Sequence, residues 1–527
     1  MGSFIAGTLD YLGLIVESGG MIMDVRILLT IFGGSVMGLM VGVIPGLTAT
    51  MALALLINIS YGMEIHVAIA FLLAVYVGST TGGLGSAIMM NIPGTPAAAA
   101  TALDGFPLAK QGKGGMAIGF GYLASFLGTI LSTLIMLFLT PLIYLIALKF
   151  GHWEMFLLAL FGIMICGSLS TDQDPLKGWL VGFIGFLAAM VGMEPIYAYP
   201  RFTFDLLQLN GGIPLIPALI GVFGISEVLT VLQESTPYKI EGNIGRVIPN
   251  LKVFRPFIPA ALRSTVIGSI VGAIPGAGED IGAWMAYDIG RRRSKHPELF
   301  GKGAIEGVIC PEVANNAVIG GAMIPMLTLA IPGSAPNALM MAAMQLHGIR
   351  PGPTLNDETP WLLPYVGIAL FAASLAMVFW GFTLAKPMIA ILKIKREILL
   401  PLVVPLTLIG AYAAEARLFN IYVMFFFGVL GYILRRMDYP MAPLVLGIIL
   451  GPIADISFRR ALMQSRGAIL PLLERPIGII LILCLLLIIY AGVKRIILFY
   501  RPRRVTMTSE ILEGIGGGGG QNAEGKQ

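Results

Sequence analysis

The sequence predicts an all-α polytopic membrane protein with roughly 10–12 transmembrane helices. Of its 527 residues, 57% are hydrophobic and only 12% are charged, and the mean hydropathy is +0.86. Soluble domains average about 25% charged residues. Apolar runs of about 20 residues, the length that crosses a bilayer, recur along the chain. Several of these runs are interrupted by Pro-Gly, which indicates two repeats built on broken helices or re-entrant hairpins.

The distribution of apolar and polar residues divides the chain into five parts. We predict an N-terminal interfacial segment (1–24), a first transmembrane half (25–232), a polar linker (233–262), a second transmembrane half (263–500) and a basic, then Gly-rich disordered tail (501–527). The N-terminus lacks the basic region and the small-residue cleavage site of a signal peptide.

Composition and motifs argue against several function classes. The net charge of +5 lies in short loops and in the tail, where it sets membrane topology rather than binding nucleic acid. The three cysteines are far apart in apolar surroundings, which indicates buried small residues, with neither a disulfide nor a metal site. We therefore expect no cofactor and no resident metal. A membrane-embedded enzyme using Glu279, Asp280 or Glu312 would need a nucleophile or metal ligand beside them, and the sequence offers neither.

Two Pro-Gly motifs of the first half return in the second half in the same order. G-V-I-P-G (42–46) corresponds to G-A-I-P-G (272–276), and I-P-G-T-P-A-A (92–98) corresponds to I-P-G-S-A-P-N-A (331–338). Interrupted hydrophobic segments at matching places in two halves are the best sequence pointer to the binding site of a transporter. The alternative is that each Pro-Gly only kinks a helix around a packing gap.

Charged loops favour halves inserted with opposite topology. The loop from Arg291 to Lys295 is basic, whereas its counterpart at 64–66 has no Lys or Arg. Lys110 and Lys113 end the first unit, whereas Asn356–Glu358 ends the second. Against this, the basic linker would then lie on the outer side. We predict inverted repeats on balance.

The chain resembles the large permease subunit of the tripartite tricarboxylate transporters, the TctA family. The resemblance is carried by N-I-P-G-T-P-A-A-A-A-T-A-L-D-G-F-P-L-A-K-Q-G (91–112), Y-P-R-F-T-F (199–204), G-V-F-G-I-S-E-V-L (221–229), G-A-I-P-G-A-G (272–278) and P-E-V-A-N-N-A-V-I-G-G-A-M-I-P-M-L-T-L-A-I-P-G-S (311–334). It implies a multi-pass permease of a prokaryotic inner membrane that takes up a small organic carboxylate using an ion gradient. It also implies a small TctB-like membrane subunit and a periplasmic TctC-like binding protein. A stand-alone carboxylate permease without a binding protein is the alternative.

Helix N-termini at the Pro-Gly breaks suit a carboxylate, because unpaired N–H groups and the positive end of the helix dipole face it. The predicted substrate-binding residues are Asn91, Pro93, Gly94, Thr95, Asn315, Asn316, Pro332, Gly333, Ser334 and Asn337. The predicted cation-coupling residues, for Na⁺ or H⁺, are Pro45, Gly46, Pro275, Gly276, Glu279 and Asp280. Alternatively, the asparagines bond neighbouring helices, and Glu279 and Asp280 are solvated loop residues.

Overall fold

The computed structural model describes residues 2–44, 47–170, 174–232, 246–391 and 396–500, and they are almost entirely helical. Within this part of the chain, ten helices are long and apolar enough to cross a membrane. The predicted all-α polytopic fold is therefore confirmed. Nothing is described of the tail (501–527) or of residues 233–245 of the predicted linker.

The helices of the first half are α1 (Gly2–Ile22), α2 (Val25–Val43), α3 (Ala49–Leu56), α4 (Ile65–Met90), α5 (Pro96–Lys110), α6 (Gly114–Ala147), α7 (His152–Leu169), α8 (Pro175–Ala189), α9 (Leu215–Leu219) and α10 (Ser226–Val231). Between α8 and α9, strands β1 (Gly192–Met193) and β2 (Pro200–Arg201) pair antiparallel, with Gly192 opposite Arg201. A π-helical turn, Ile220–Ile225, joins α9 to α10.

The helices of the second half are α11 (Leu251–Phe254), α12 (Ile258–Ala273), α13 (Gly278–Arg293), α14 (Ile305–Leu329), α15 (Ala335–Leu346), α16 (Leu355–Glu358), α17 (Leu362–Ile391), α18 (Arg396–Ala413), α19 (Leu418–Arg436), α20 (Met441–Gln464), α21 (Pro471–Glu474) and α22 (Pro476–Tyr500). Helices α11 and α12 thus begin inside the residues assigned to the linker. Short 3₁₀ turns are Ile57–Gly62, Leu207–Gly211, Arg255–Phe257 and Pro297–Leu299.

Each half contains an equivalent pair of parallel helices. Gly38 and Gly42 of α2 pack against the backbone of Val75 and Ser79 of α4, so the residue numbers rise together. In the second half, Gly268 and Gly272 of α12 pack in the same way against Ala314 and Val318 of α14. A glycine lets two helix backbones approach closely, which is how helices associate in a bilayer without a hydrophobic driving force.

Helices α4 and α14 form the centre of the molecule and run antiparallel. Tyr76 contacts Ser334, just after α14, while Thr81 bonds to Asn316 at 2.9 Å. Residue numbers therefore rise along α4 as they fall along α14. Because each central helix is parallel to its own first helix, the two halves are inverted relative to each other, as the charged loops indicated.

One end of the molecule collects the basic loops. Gln111 Nε2 donates to the Lys302 carbonyl at 3.0 Å, and Arg263 pairs with Glu306 at 3.5 Å. The loops before α6, α12 and α14 therefore share a face, which we call the basic face: Lys110, Lys113, Arg246, Lys252, Arg255, Arg263, Arg291, Arg292, Arg293, Lys295 and Lys302.

The position of the basic linker agrees with inverted halves, because the described end of the linker lies on the basic face and not on the opposite side of the molecule. Gly282 of α13 lies against Val318 of α14, whereas Gly290 lies against Cys310, so α13 runs antiparallel to α14. Helices α12 and α13 are thus a hairpin that enters from the basic face and returns to it. The described end of the linker and the Arg291 loop consequently lie on the same side.

Candidate functional site

A cavity of about 1040 Å³ lies between the two halves and contains several of the predicted site residues. Those that line it are Pro93, Gly94, Thr95, Gly276, Glu279, Asp280 and Asn315. Residues that the sequence analysis did not select also line it, among them Thr48, Thr80, Glu227, Arg435 and Arg495. Pro45 and Gly46 lie outside the described residues.

Among the described residues, four helix N-termini meet the cavity, and three of them carry a hydroxyl cap. Thr48 Oγ1 accepts from the Met51 amide before α3, and Thr95 Oγ1 accepts from the Ala98 amide before α5, each at 3.3 Å. Ser334 Oγ makes the equivalent, longer contact of 3.5 Å with the Asn337 amide before α15. The fourth N-terminus is that of α13, at Gly278. Each terminus presents the positive end of a helix dipole.

Glu279 joins the second half's two breaks to α4. Its Oε1 accepts a hydrogen bond of 2.5 Å from the Tyr76 hydroxyl and one of 3.1 Å from Ser334 Oγ. Tyr76 and Ser334 are buried. The Ser334 hydroxyl at the start of α15 is therefore already hydrogen-bonded to the Glu279 carboxylate.

Asp280 is placed in a corresponding way against the first half. It lines the cavity, and its carboxylate interacts with the backbone amide of Ala97 in the first turn of α5. The two neighbouring carboxylates at the start of α13 thus engage the N-terminal regions of α5 and α15. Both lie beside the cavity rather than in an external loop.

Asn315 and Thr80 present two unpartnered oxygens. Asn315 Nδ2 donates to the Thr80 carbonyl at 3.2 Å. Asn315 Oδ1 and Thr80 Oγ1 are buried and have no hydrogen-bond partner among the described residues. Both residues line the cavity. A buried oxygen without a partner is costly unless water, a cation or a donor satisfies it.

Asn316 and Glu312 lie in a polar network behind the cavity. Asn316 Oδ1 accepts from Thr81, and its Nδ2 donates to the Glu312 carbonyl at 3.2 Å. The Glu312 carboxylate accepts from Thr101 at 2.7 Å and from Ser125 at 3.0 Å. These bonds hold α4, α5 and α6 against α14.

Asn91 and Asn337 also lie outside the cavity lining. Asn91 ends α4 with φ 54°, and Ala330 ends α14 in the same left-handed conformation with φ 57°. Asparagine adopts this conformation readily, so the backbone turn accounts for Asn91. Asn337 is buried, with its amide nitrogen 3.7 Å from the Met326 sulfur.

The glycines of the Pro-Gly breaks serve packing. A Cβ on Gly94 would lie 2.6 Å from the Gly42 carbonyl oxygen, and one on Gly333 would overlap the Gly272 carbonyl oxygen. In each half the second break is thus seated on the helix end at the first break. Gly276 has φ 72° and packs against Cys166, beside the buried Pro275. Pro332 and Gly333 lie outside the cavity lining, so they shape it indirectly.

One end of the cavity is formed by helix ends near the basic face. Helix α6 leaves that face and α7 returns, which places Leu169 and Ser170 at this end of the cavity. Arg495 is also here, because its Nη1 donates to the Ser168 carbonyl at 3.0 Å. Arg435 and Glu227 form an ion pair at the same cavity.

The residues that the sequence analysis missed had weak sequence signals. Thr48 is the second residue after the first Pro-Gly and precedes a helix, which is the pattern of an N-cap. Arg435 stands beside Arg436 at a helix end, a position typical of a topology signal. Its contact with Glu227, far away in sequence, carries no local signature.

Comparison with known proteins agrees with the resemblance. The model of the family described as "Tripartite tricarboxylate transporter TctA family" matches residues 28–446. An "uncharacterized 52.8 kDa protein in TAR-I ttuC' 3'region" of Agrobacterium vitis is 35% identical over 451 residues, covering 85% of this chain and 89% of the relative. A second protein of that organism, from the TAR-II ttuC' 3'region, is 36% identical over 211 residues, covering 40% of this chain and 87% of the relative. No solved structure matches.

Proposed function

Because the chain belongs to the tripartite tricarboxylate transporter TctA family of transporter permeases, we propose that it imports a small organic di- or tricarboxylate, driven by a Na⁺ or H⁺ gradient. A periplasmic binding protein would deliver the substrate, and a small membrane subunit would complete the transporter. The observation that carries the proposal is the meeting of four helix N-termini around one cavity. Such termini attract carboxylate without the tight grip of a fixed cation.

The size of the cavity supports a small polar substrate. Its volume of about 1040 Å³ is just above the usual range for small-molecule sites, about 300–1,000 Å³. Thr95 and Thr48 provide hydroxyls at two of the termini, and Asn315 provides an amide. These groups would fix the orientation of a carboxylate that the helix dipoles attract.

Glu279 and Asp280 provide a physical link between cation and substrate. The Glu279 carboxylate accepts a hydrogen bond from Ser334 at the start of α15, and the Asp280 carboxylate interacts with the Ala97 amide in the first turn of α5. A proton or Na⁺ at this pair would neutralise negative charge beside the substrate and free those donors. The oxygens of Thr80 and Asn315 are further ligands for Na⁺, which takes hard oxygen donors.

The distribution of charge supports an orientation in the membrane. Cytoplasmic loops of membrane proteins carry an excess of Lys and Arg. The basic face would therefore be cytoplasmic, and the end of the cavity at Ser170 and Arg495 would be the end nearer the cytoplasm.

The first test is uptake into proteoliposomes. Radiolabelled citrate and a panel of other carboxylates would be offered with an imposed Na⁺ or pH gradient, with and without the binding protein and the small subunit. The proposal expects gradient-dependent uptake of at least one carboxylate. No such uptake by folded, correctly oriented protein with its partners would refute it. Uptake without the binding protein would instead favour a stand-alone permease.

Glu279→Gln tests the link between cation and substrate. The amide keeps the size of the side chain but removes the charge that a coupling ion would neutralise. We expect the effect of the coupling ion on citrate affinity to fall about tenfold, within the usual range of coupling energies. Citrate binding would be titrated at high and low concentrations of that ion. Asp288→Asn on the same helix is the control, because Asp288 is exposed and pairs with Arg292. Unchanged ion dependence in Glu279→Gln would exclude this residue from coupling.

A further inference from the structure

The ion pair at the end of the cavity nearer the basic face joins two helices of different halves. Arg435 is in the last turn of α19, and Glu227 is in α10. The contact is between Arg435 Nη1 and Glu227 Oε2. The side chains of Arg435 and Glu227 are 33% and 11% exposed, and both residues line the cavity.

A guanidinium has more donors than this contact uses. Arginine carries five N–H donors in a planar fork, and a carboxylate accepts two of them in parallel in its strongest geometry. The contact with Glu227 joins one nitrogen to one oxygen. Arg435 therefore retains donors for a second carboxylate, on the wall of a cavity that a carboxylate would occupy.

We infer that Arg435 binds a carboxylate group of the transported substrate and that Glu227 is the internal carboxylate that the substrate displaces from it. This inference rests on the proposed function and names a residue of the same cavity. Without substrate, Glu227 satisfies the charge of Arg435. When substrate enters, one of its carboxylates takes over the guanidinium, while its remaining part lies toward the N-termini of α5 and α15.

The competition explains how a fixed cation is compatible with transport. An unopposed arginine in a partly buried cavity would hold a dianion or trianion strongly and slow its release. Glu227 remains beside Arg435 and competes for it, so the substrate gains only the difference between two similar ion pairs. Arg495, which also lines this end, adds positive potential there.

The alternative is that the pair only joins α10 to α19. The two roles differ in the sign of one effect. If Glu227 competes with substrate, its neutralisation strengthens substrate binding. If the pair only holds two helices together, neutralising Glu227 destabilises the protein and leaves the affinity unchanged or weaker.

The experiment measures equilibrium binding of radiolabelled citrate, or of the carboxylate that uptake identifies, to the purified protein in detergent. Glu227→Gln is expected to lower the dissociation constant several-fold. Arg435→Gln is expected to raise it roughly tenfold or more, the loss typical of one charge-assisted pair. In the Arg435→Gln background, Glu227→Gln is expected to have no further effect. Arg435→Lys, which keeps the charge but loses the fork, is expected to fall between wild type and Arg435→Gln.

The matched control is Arg436→Gln. Arg436 is the next residue along α19, but its guanidinium lies over the Tyr432 ring, 5.8 Å from the ring centroid, and it is not among the residues that line the cavity. Its replacement is expected to leave the dissociation constant within about twofold of wild type, since exposed charges contribute little. Melting temperatures of all variants would identify any that misfold. If Arg435→Gln misfolds, the direction of the change in the dissociation constant of Glu227→Gln still decides between the two roles.

The binding experiment tests the exchange at Arg435, and the uptake experiment tests the proposed function. Unchanged or weaker citrate binding in Glu227→Gln would overturn the exchange, and equal effects of Arg435→Gln and Arg436→Gln would remove Arg435 from the site, even when wild type transports. Stronger binding in Glu227→Gln with no gradient-dependent uptake by wild type would support the exchange and refute the carrier assignment.

Discussion

Helices α5 and α15 occupy the same place in the two inverted halves, yet they are held in different ways. Each follows a Pro-Gly break after a left-handed helix end, and each begins at a hydroxyl cap beside the cavity. In α5, the fully buried Asp104 forms hydrogen bonds to the second half, which we call the Asp104 clamp. Its Oδ1 accepts from the amides of Gly301, Gly303 and Ala304 at 2.8–2.9 Å, and its Oδ2 accepts from Tyr287 at 2.9 Å.

Helix α15 has no counterpart to this clamp among its described contacts. Asp104 is nine residues after the cap residue Thr95, and the residue nine positions after the cap residue Ser334 is Ala343. The buried surface of α15 is rich in methionine, with Met340, Met341 and Met344. Its polar side-chain contacts are near its ends, at Ser334, at Asn337 and at His347, whose Nε2 is 3.1 Å from Ser60 Oγ.

The difference indicates which half-helix can move. Four hydrogen bonds to one buried carboxylate are directional and fix α5 to the loop before α14. Apolar contacts are not directional, and methionine repacks easily. We therefore expect α5 to move with the second half during alternating access and α15 to slide. The Glu279–Ser334 contact would then be one that changes with the state of the carrier.

Removal of the clamp gives the largest expected effect on stability. Asp104→Ala leaves three amides and one phenol without their acceptor at a partly buried site, so we expect a loss of about 3 kcal/mol or more in unfolding free energy. The measurement is the apparent melting temperature in detergent. Asp288→Ala, which removes an exposed aspartate, is the control. A melting temperature for Asp104→Ala close to that of this control would contradict the clamp.

The breaks were predictable from sequence because proline and glycine act locally. Pro93-Gly94 and Pro332-Gly333 interrupt helices wherever the rest of the chain lies. The clamp was not predictable, since Asp104 meets its partners only after the two halves pack. The segment D-G-F-P-L-A-K-Q-G belongs to a motif that carries the family resemblance, but nothing near Asp104 in sequence shows which donors its carboxylate accepts.

Adjacent residues had different outcomes for a geometric reason. Asn315 and Asn316 are both predicted to bind substrate, but successive residues of an α-helix point about 100° apart. Asn315 therefore lines the cavity while Asn316 points into the polar network with Thr81. Arg435 and Arg436 differ in the same way. A single sequence shows that a helix carries such a pair but does not show which member faces the site.

The glycines at the second breaks give the next largest effect. A Cβ at position 333 overlaps the Gly272 carbonyl oxygen and approaches the Ala322 Cβ to 2.7 Å, whereas one at position 94 lies 2.6 Å from the Gly42 carbonyl oxygen. Gly333→Ala should therefore destabilise more than Gly94→Ala, with costs of about 1–3 kcal/mol. Gly33→Ala is the control, because nothing lies within 4 Å of its Cβ position. Protein yield and melting temperature in detergent measure all three. Equal stability of the three variants would mean that the breaks are not seated on the neighbouring helix ends.

Removal of the hydroxyl caps has the smallest expected effect on stability, and it compares the equivalent breaks of the two halves directly. Thr95→Ala and Ser334→Ala each remove an N-cap, at a typical cost of about 1 kcal/mol. Thr383→Ala, at an exposed helix position where the hydroxyl bonds only within its own helix, is the control. Ser334 also donates to Glu279, so only Ser334→Ala should change the ion dependence of citrate binding as well as the melting temperature. Equal ion dependence in Ser334→Ala and Thr95→Ala would mean that the two breaks do not differ in coupling. A shift in Ser334→Ala alone would assign coupling to the second half, where α15 is free of the clamp.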